Sequence, residues 1–360
     1  GENIVNNAFE ASVDETAISQ IEHSEQVLFN LASEGALEGG FQSFGTALVT
    51  AVNLAEAAHR REGALAGVTS GLLDLDKKLG GLHESDLLIL AGRPSMGKTA
   101  LATTIAFNAA HYYRTTDRAE DRGKQVAFFS LEMSAEQLAT RILAERSKIN
   151  SHMIRTGGLS NDDFSRLVVA SQEVNELPLF IDDTPAVTVS TIRTRCRRLA
   201  RQNKTADGSN GLGLIVIDYL QLLRSNSRRA QDNRQIEIQE ISYGIKALAK
   251  ELKVPIIVLA QLNRELEKRG PGEKPKLSDL RESGSIEQDA DLVGLLYRPK
   301  MGKEDEEEPN EQTNYDAVPV NLLIAKQRNG PTGDVHLTFL KGFTRYESAA
   351  KVADEDAPRE

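Results

Sequence analysis

"DLLILAGRPSMGKTALATTIAFNAAHYY", residues 86–113, reads as an apolar strand, a glycine-framed turn and a helix. Within it, Gly92-Arg-Pro-Ser-Met-Gly97-Lys98-Thr99 satisfies G-x-x-x-x-G-K-[ST] in the strand–turn–helix setting that gives such a match its meaning. Glycine permits positive φ angles and lets the backbone approach an anion closely. The amides of Ser95, Met96, Gly97, Lys98, Thr99 and Ala100 then surround a phosphate at the helix N-terminus. Lys98 is expected to reach the β- and γ-phosphates, and the Thr99 hydroxyl to ligate Mg²⁺. The turn is expected to hold a nucleoside triphosphate; a glycine-rich turn with an incidental lysine is the bland alternative.

Three other strand ends offer polar groups to the same place. "LIVIDYLQLL" (214–223) ends its apolar run at Asp218, where a carboxylate can hold the Mg²⁺ shell through water. "FFSLEMS" (128–134) places Glu132 at a strand end as the candidate base for hydrolysis. Gln261, after "VPIIVLA", could sense the γ-phosphate. Each has a plainer reading: a turn cap for Asp218, a helix-dipole partner for Glu132, a loop-tying hydrogen bond for Gln261.

Outward from this motif the chain alternates strands and helices. Strands are expected at 86–91, 126–131, 178–182, 213–218, 254–260, 291–297, 319–326 and 334–340. "GLIVID" and "PIIVLA" are apolar throughout, as parallel strands covered on both faces are. "SAEQLATRILAERSKI" opens with a Ser134/Gln137 capping box and supplies one crossover. The last strands lie closer together in sequence and suit an antiparallel extension. The fold class is α/β, a mostly parallel central sheet flanked by helices and preceded by a small helical segment. That segment holds two amphipathic stretches, 14–32 and 44–63; the second carries Leu48, Val49, Val52, Leu54 and Ala55 on one side and wants a partner surface.

Composition narrows the function classes. With 360 residues, 40% of them hydrophobic, the chain can bury a sizeable core. No apolar run approaches the roughly 18 to 20 residues of a membrane helix, and no basic-then-apolar leader argues for secretion. The single Cys196 excludes an intrachain disulfide framework and suits a reducing cytosol. Trp is absent and aromatics are 5%, which argues against a base-stacking platform. The net charge of −10 hides local patches: acids concentrate at Glu304–Glu308 and in the tail, while arginines bunch at 193–201 and 224–234. "RTRCRRLARQNK" (193–204) reads as an exposed amphipathic helix, and "RSNSRRAQDNR" (224–234) as a linker or a weak nucleic-acid candidate.

Six stretches occur in one order: "AGRPSMGKTA", "FFSLEMS", "LIVIDYLQLL", "VPIIVLAQLNR", "LSDLRESGSIEQDAD" and "IAKQRNGPTG". Together they resemble bacterial replicative DNA helicases of the DnaB type, over approximately residues 67 to 347. The resemblance implies a RecA-like P-loop NTPase core that uses ATP and Mg²⁺. It implies a homohexameric ring moving 5′→3′ on single-stranded DNA and unwinding forked duplex in the bacterial cytoplasm at the nucleoid, with primase and a helicase loader as partners and no membrane. It also implies domains: 1–40, the end of a helical N-terminal domain; 41–66, a linker helix; 67–350, the ATPase domain; 351–360, an acidic tail. Glu132 resembles the family's catalytic glutamate and Gln261 its γ-phosphate-coupling glutamine. Lys326 and Arg328 match the pair projected into the neighbouring subunit's site, with Arg328 as a finger in trans. Arg281, Glu282 and Gly284 match the central-channel loop on the DNA backbone. The loop 303–316 falls outside the pattern. A RecA-like recombinase or other DNA-dependent ATPase, and more remotely a small-molecule kinase, remain the alternatives.

Overall fold

The computed structural model describes residues 43–49, 52, 56, 65–202, 210–225, 233–263, 273–280, 284–299 and 317–349. The expected helix at 14–32, Arg281, Glu282, most of the basic loop 224–234, the acidic loop and the tail lie outside the described residues. Gly1–Ala64 with Ser190–Arg198 forms one compact unit; Leu65–Val189 with Leu199–Glu360 forms another. In the first, residues 44–49 are helical, and Phe44, Leu48, Val49 and Val52 are exposed.

Among the described residues the second unit carries a nine-stranded sheet, ordered β3-β2-β4-β5-β1-β6-β7-β8-β9. The strands are β1 Leu87–Gly92, β2 Gln125–Ser130, β3 Leu179–Asp182, β4 Leu212–Asp218, β5 Ile256–Gln261, β6 Leu292–Tyr297, β7 Ala317–Gln327, β8 Gly333–Leu340 and β9 Arg345–Ser348. From β3 to β6 the pairing is parallel; from β6 to β9 it is antiparallel. All eight expected strands are present, with ends within two residues of the reading. β9 was not anticipated: "RYES" offers one apolar residue among polar ones, too little alternation to read as a strand.

Helices α1 Leu73–Leu79, α2 Lys98–Thr115, α3 Ala135–Ser147, α4 Ser151–Thr156, α5 Asn161–Asn175, α6 Val189–Gln202, α7 Arg234–Leu252 and α8 Gly284–Asp289 connect the strands. α2 holds no charged side chain between Thr99 and Tyr113, and its Ala100, Ala102, Ala106, Ala109 and Ala110 are buried. Small residues let this helix lie close against the sheet, where it meets Leu88, Leu90, Phe128, Val216 and Leu259. Alternate strand residues, Ile89, Ile217 and Val258 among them, are buried on the opposite face. α7 packs on β1 with Ile238, Ile241, Ile245 and Leu248 buried. α3 begins at the expected capping box, the Ser134 hydroxyl accepting from the Gln137 amide at 3.4 Å and the Gln137 side chain accepting from the Ser134 amide at 3.2 Å. In α6, Ile192 and Cys196 are buried four residues apart on one side of a helix otherwise rich in arginine.

Parallel pairing has a consequence for chemistry. The ends of β1, β2, β4 and β5 share one edge of the sheet, while the antiparallel β7 ends at the opposite edge.

Candidate nucleotide site

The turn after β1 is shaped by two residues in the left-handed region, Ser95 (φ 62°) and Gly97 (φ 83°). At Gly97 a Cβ would come within 2.9 Å of the Tyr346 hydroxyl, so a side chain there is opposed by both conformation and space. That hydroxyl donates to the Met96 carbonyl at 2.6 Å, and Tyr346 stacks on Phe339 with ring centroids 4.8 Å apart. The unanticipated β9 thus clamps the turn from outside.

Lys98 opens α2 and folds over the turn, donating to the carbonyls of Gly92 (2.9 Å) and Arg93 (3.1 Å). Burial lowers its pKa, opposed by the charges of Asp218 and Glu132. The Thr99 hydroxyl donates to Asp218 Oδ2 at 2.8 Å. Burial pushes the Asp218 carboxyl up to about 6; the bond from Thr99 opposes this and the charge of Glu132 adds to it. Ser130 at the end of β2 pairs with Asp218, and the Leu131 amide donates to the Asp218 carbonyl at 2.8 Å. Glu132 follows in a turn closed by the Ser130 hydroxyl donating to the Met133 carbonyl at 2.7 Å, and its side chain is exposed. Gln261 pairs in register with Gly92. Gly92, Ser95, Met96, Gly97, Lys98, Thr99, Ala100, Glu132, Asp218 and Gln261 therefore gather along one sheet edge.

An oxygen pair of hydroxyl and carboxylate is the donor chemistry that suits Mg²⁺, which is commonly held by one or two such groups plus substrate phosphates. Among the described residues no group of three or more His, Cys, Asp or Glu could hold a metal.

Arg141, like Tyr346, carries no mark in the sequence. Arg141, midway along α3, has its pKa lowered by burial and feels the opposing charges of Asp218 and Glu132, so a cation stands beside the two acids. In sequence it is one of two arginines on an amphipathic helix, and nothing local marks it.

Lys326 and Arg328 do not join this cluster. They lie at the end of β7, where Val293 pairs with Lys326 and the Arg328 amide donates to the Asp291 carbonyl at 2.9 Å. Lys326 Nζ donates to the carbonyls of Glu287 (2.6 Å) and Ala290 (2.7 Å). Arg328 donates to the Gln288 carbonyl (2.6 Å) and meets Asp291 at 3.2 Å. Burial, and then the neighbouring Arg328, lower the pKa of Lys326. Gly284 is the first residue of α8.

With this geometry in hand, the sequence matches the family described as DnaB-like helicase C terminal domain over residues 67–348. The replicative DNA helicase DnaB of Rickettsia typhi is 44% identical over 361 residues, covering 98% of this chain and 71% of that protein. Its counterpart in Geobacillus stearothermophilus is 43% identical over 317 residues, covering 88% of this chain and 64% of that one. Among solved structures, a DnaB-like replicative helicase described with its interactions with primase superposes with a TM-score of 0.74 at 30% identity, covering 96% of this chain and 73% of that one. The ATPase domain of G40P gives 0.71 at 34%, covering 86% and 99%.

Proposed function

This chain belongs to the DnaB-like helicase family, and from that premise we propose that ATP with Mg²⁺ is hydrolysed at a seam between two copies, Arg328 of one completing the nucleotide site of the next. The activity is that of an ATP-hydrolysing replicative DNA helicase, built on a nucleotide-binding RecA-like core.

The observation that carries the seam is the opposition of the two sheet edges. Asp291, whose carbonyl holds the Arg328 amide, donates its own amide to the Leu87 carbonyl at the start of β1, whereas Gly92 ends that strand. Five residues of strand separate the two by about 16 Å. An arginine side chain is too short for that distance, and this one points to Gln288 and Asp291. Within one chain the finger and the phosphate cradle stay apart. Copies arranged head to tail bring one edge against the other, and a closed ring repeats the arrangement. We take that ring to be a homohexamer.

At such a seam Lys98 and the turn amides bind the phosphates, and Glu132 draws a proton from the attacking water. Mg²⁺, held by Thr99 and through water by Asp218, would neutralise charge on the β- and γ-phosphate oxygens. The planar guanidinium of Arg328 meets charge developing on the transferred phosphoryl group. Gln261, paired with Gly92, reports the γ-phosphate to the chain that follows β5. That chain leads to Arg281, Glu282 and Gly284, which we assign to the backbone of single-stranded DNA, a contact without sequence preference. The exposed side chains of Phe44, Leu48, Val49 and Val52 support a linker that packs on an adjacent copy. Primase and a loader are further partners of this reading.

Mixing two defective chains tests the seam. Lys98→Ala lacks a working cradle and Arg328→Ala a working finger. Each alone should be inactive, and the mixture should recover hydrolysis where an intact cradle meets an intact finger. A mixture as inactive as its components, or a fully active lone monomer, defeats the proposal.

A further inference from the structure

We propose that Asp291 is the positioning residue that aims Arg328 at the neighbouring copy, with the C-terminal end of α8 as a second support. The inference rests on the shared-seam reading and adds to it what holds the finger.

The Asp291 side chain is buried, 9% exposed, and serves three donors. Oδ2 accepts the Leu87 amide at 2.7 Å and an ion pair from Lys246 of α7; Oδ1 faces the Arg328 guanidinium at 3.2 Å. Its backbone amide and carbonyl bind Leu87 and Arg328 as well. One carboxylate thus joins the first residue of β1, the middle of α7 and the residue after β7. Lys246 is held in turn by the Ser85 carbonyl at 2.8 Å. Asp86 adds a second acid, its pKa raised by burial and by the charge of Asp291. A cavity of about 40 Å³, lined by His83, Asp86, Gln327 and Arg328 among others, adjoins this cluster.

The second half of the device is α8. Its last carbonyls have no partner within so short a helix, and Lys326 and Arg328 supply donors to Glu287, Gln288 and Ala290. The finger pair therefore follows the C-terminal end of α8. Upstream of α8, Leu262 and Leu280 form a bridge, and the Asn263 amide donates to the Asp279 carbonyl at 2.8 Å. These bonds tie the segment before α8 to the residues directly after Gln261. The carbonyls of Glu287 and Gln288 in α8, with that of Ala290 just after it, therefore fix where the finger pair lies.

The test uses Asp291→Asn, with Asp291→Asn/Lys246→Met as a second variant that leaves no unpaired buried ammonium. Misplacing a reacting group by about 1 Å can cost about 100-fold, so kcat for ATP should fall roughly 10- to 100-fold while KM stays near wild type. Mixing with the two seam variants gives the readout that mere damage to the fold would not. Hydrolysis by either Asp291 variant should be restored by Lys98→Ala, which brings an intact finger, and not by Arg328→Ala, which brings none. Restoration by both, by neither, or a kcat within twofold of wild type overturns the role of Asp291, provided the Lys98→Ala and Arg328→Ala chains still complement one another. If that pair fails too, the seam itself is wrong and the inference falls with it.

Discussion

The two edges of the sheet are built on opposite terms. At the edge formed by the ends of β1, β2, β4 and β5, Lys98, Asp218 and Arg141 are all shifted by burial against their charged forms. Charge is concentrated there at a cost to folding, as expected where side chains are arranged for a substrate rather than for each other. At the other edge Lys326, Arg328, Lys246 and Asp291 satisfy one another and nearby carbonyls. Burial shifts Lys326 and Asp86 at that edge as well, so the contrast lies in the partners: there the cations meet carbonyls or a carboxylate of their own chain. Under the proposed seam, the first edge takes a further cation from the second edge of a neighbouring copy.

The largest effect that could separate the two edges is on chemistry. Glu132→Gln keeps shape and removes the base, so hydrolysis should drop about 10²- to 10⁴-fold, with nucleotide binding and the finger edge intact. Turnover with and without single-stranded DNA, together with unwinding of a fork, measures it; full activity would remove Glu132 from the mechanism. The next effect is on assembly. Deleting residues 1–66 leaves both edges in place but removes the proposed linker, and on the order of 100-fold more protein should then be needed to form the proposed ring. Sedimentation across a concentration series reads this, and an unchanged hexamer population would deny the linker its role.

The smallest effect is on stability, and its sign shows whether burying the Asp218 charge costs the fold. The Asp218 carboxyl rises from its ordinary 3.8 to about 6 on folding, because burial disfavours the charge. The folded state therefore binds the proton more tightly than the unfolded chain. No penalty exists below about pH 4; it grows as pH rises toward 6 and is constant above that. Asp218→Asn should accordingly unfold later than wild type at pH 8, by up to about 3 kcal/mol, with the gain vanishing near pH 4. Denaturant melts at the two pH values decide it. A variant less stable at pH 8 would show that the bond from Thr99 outweighs burial.

Much of this was legible in one dimension. The phosphate turn is local: glycine conformations, a lysine and a helix start lie within eight residues, and the surrounding apolar runs announce parallel strands. Asp218, Glu132 and Gln261 could be found because parallel strands that end in polar residues must end at a common edge. Tyr346, Arg141 and Asp291 could not. Tyr346 touches the turn from 250 residues away, and the ion pair of Asp291 with Lys246 closes across 45. Nothing in "RYES" or in the middle of an amphipathic helix carries a local sign of such a partner.

Short-range chemistry alone therefore pointed to a nucleotide-binding turn and to the residues expected to cradle the phosphates. Register and strand direction alone established that Lys326 and Arg328 stand at the wrong edge to serve their own cradle, and which carboxylate holds the arginine there. The reason is physical: a phosphate cradle is made by consecutive amides, whereas the position of an ion pair depends on which strands lie side by side, and that is settled only when the sheet closes its core.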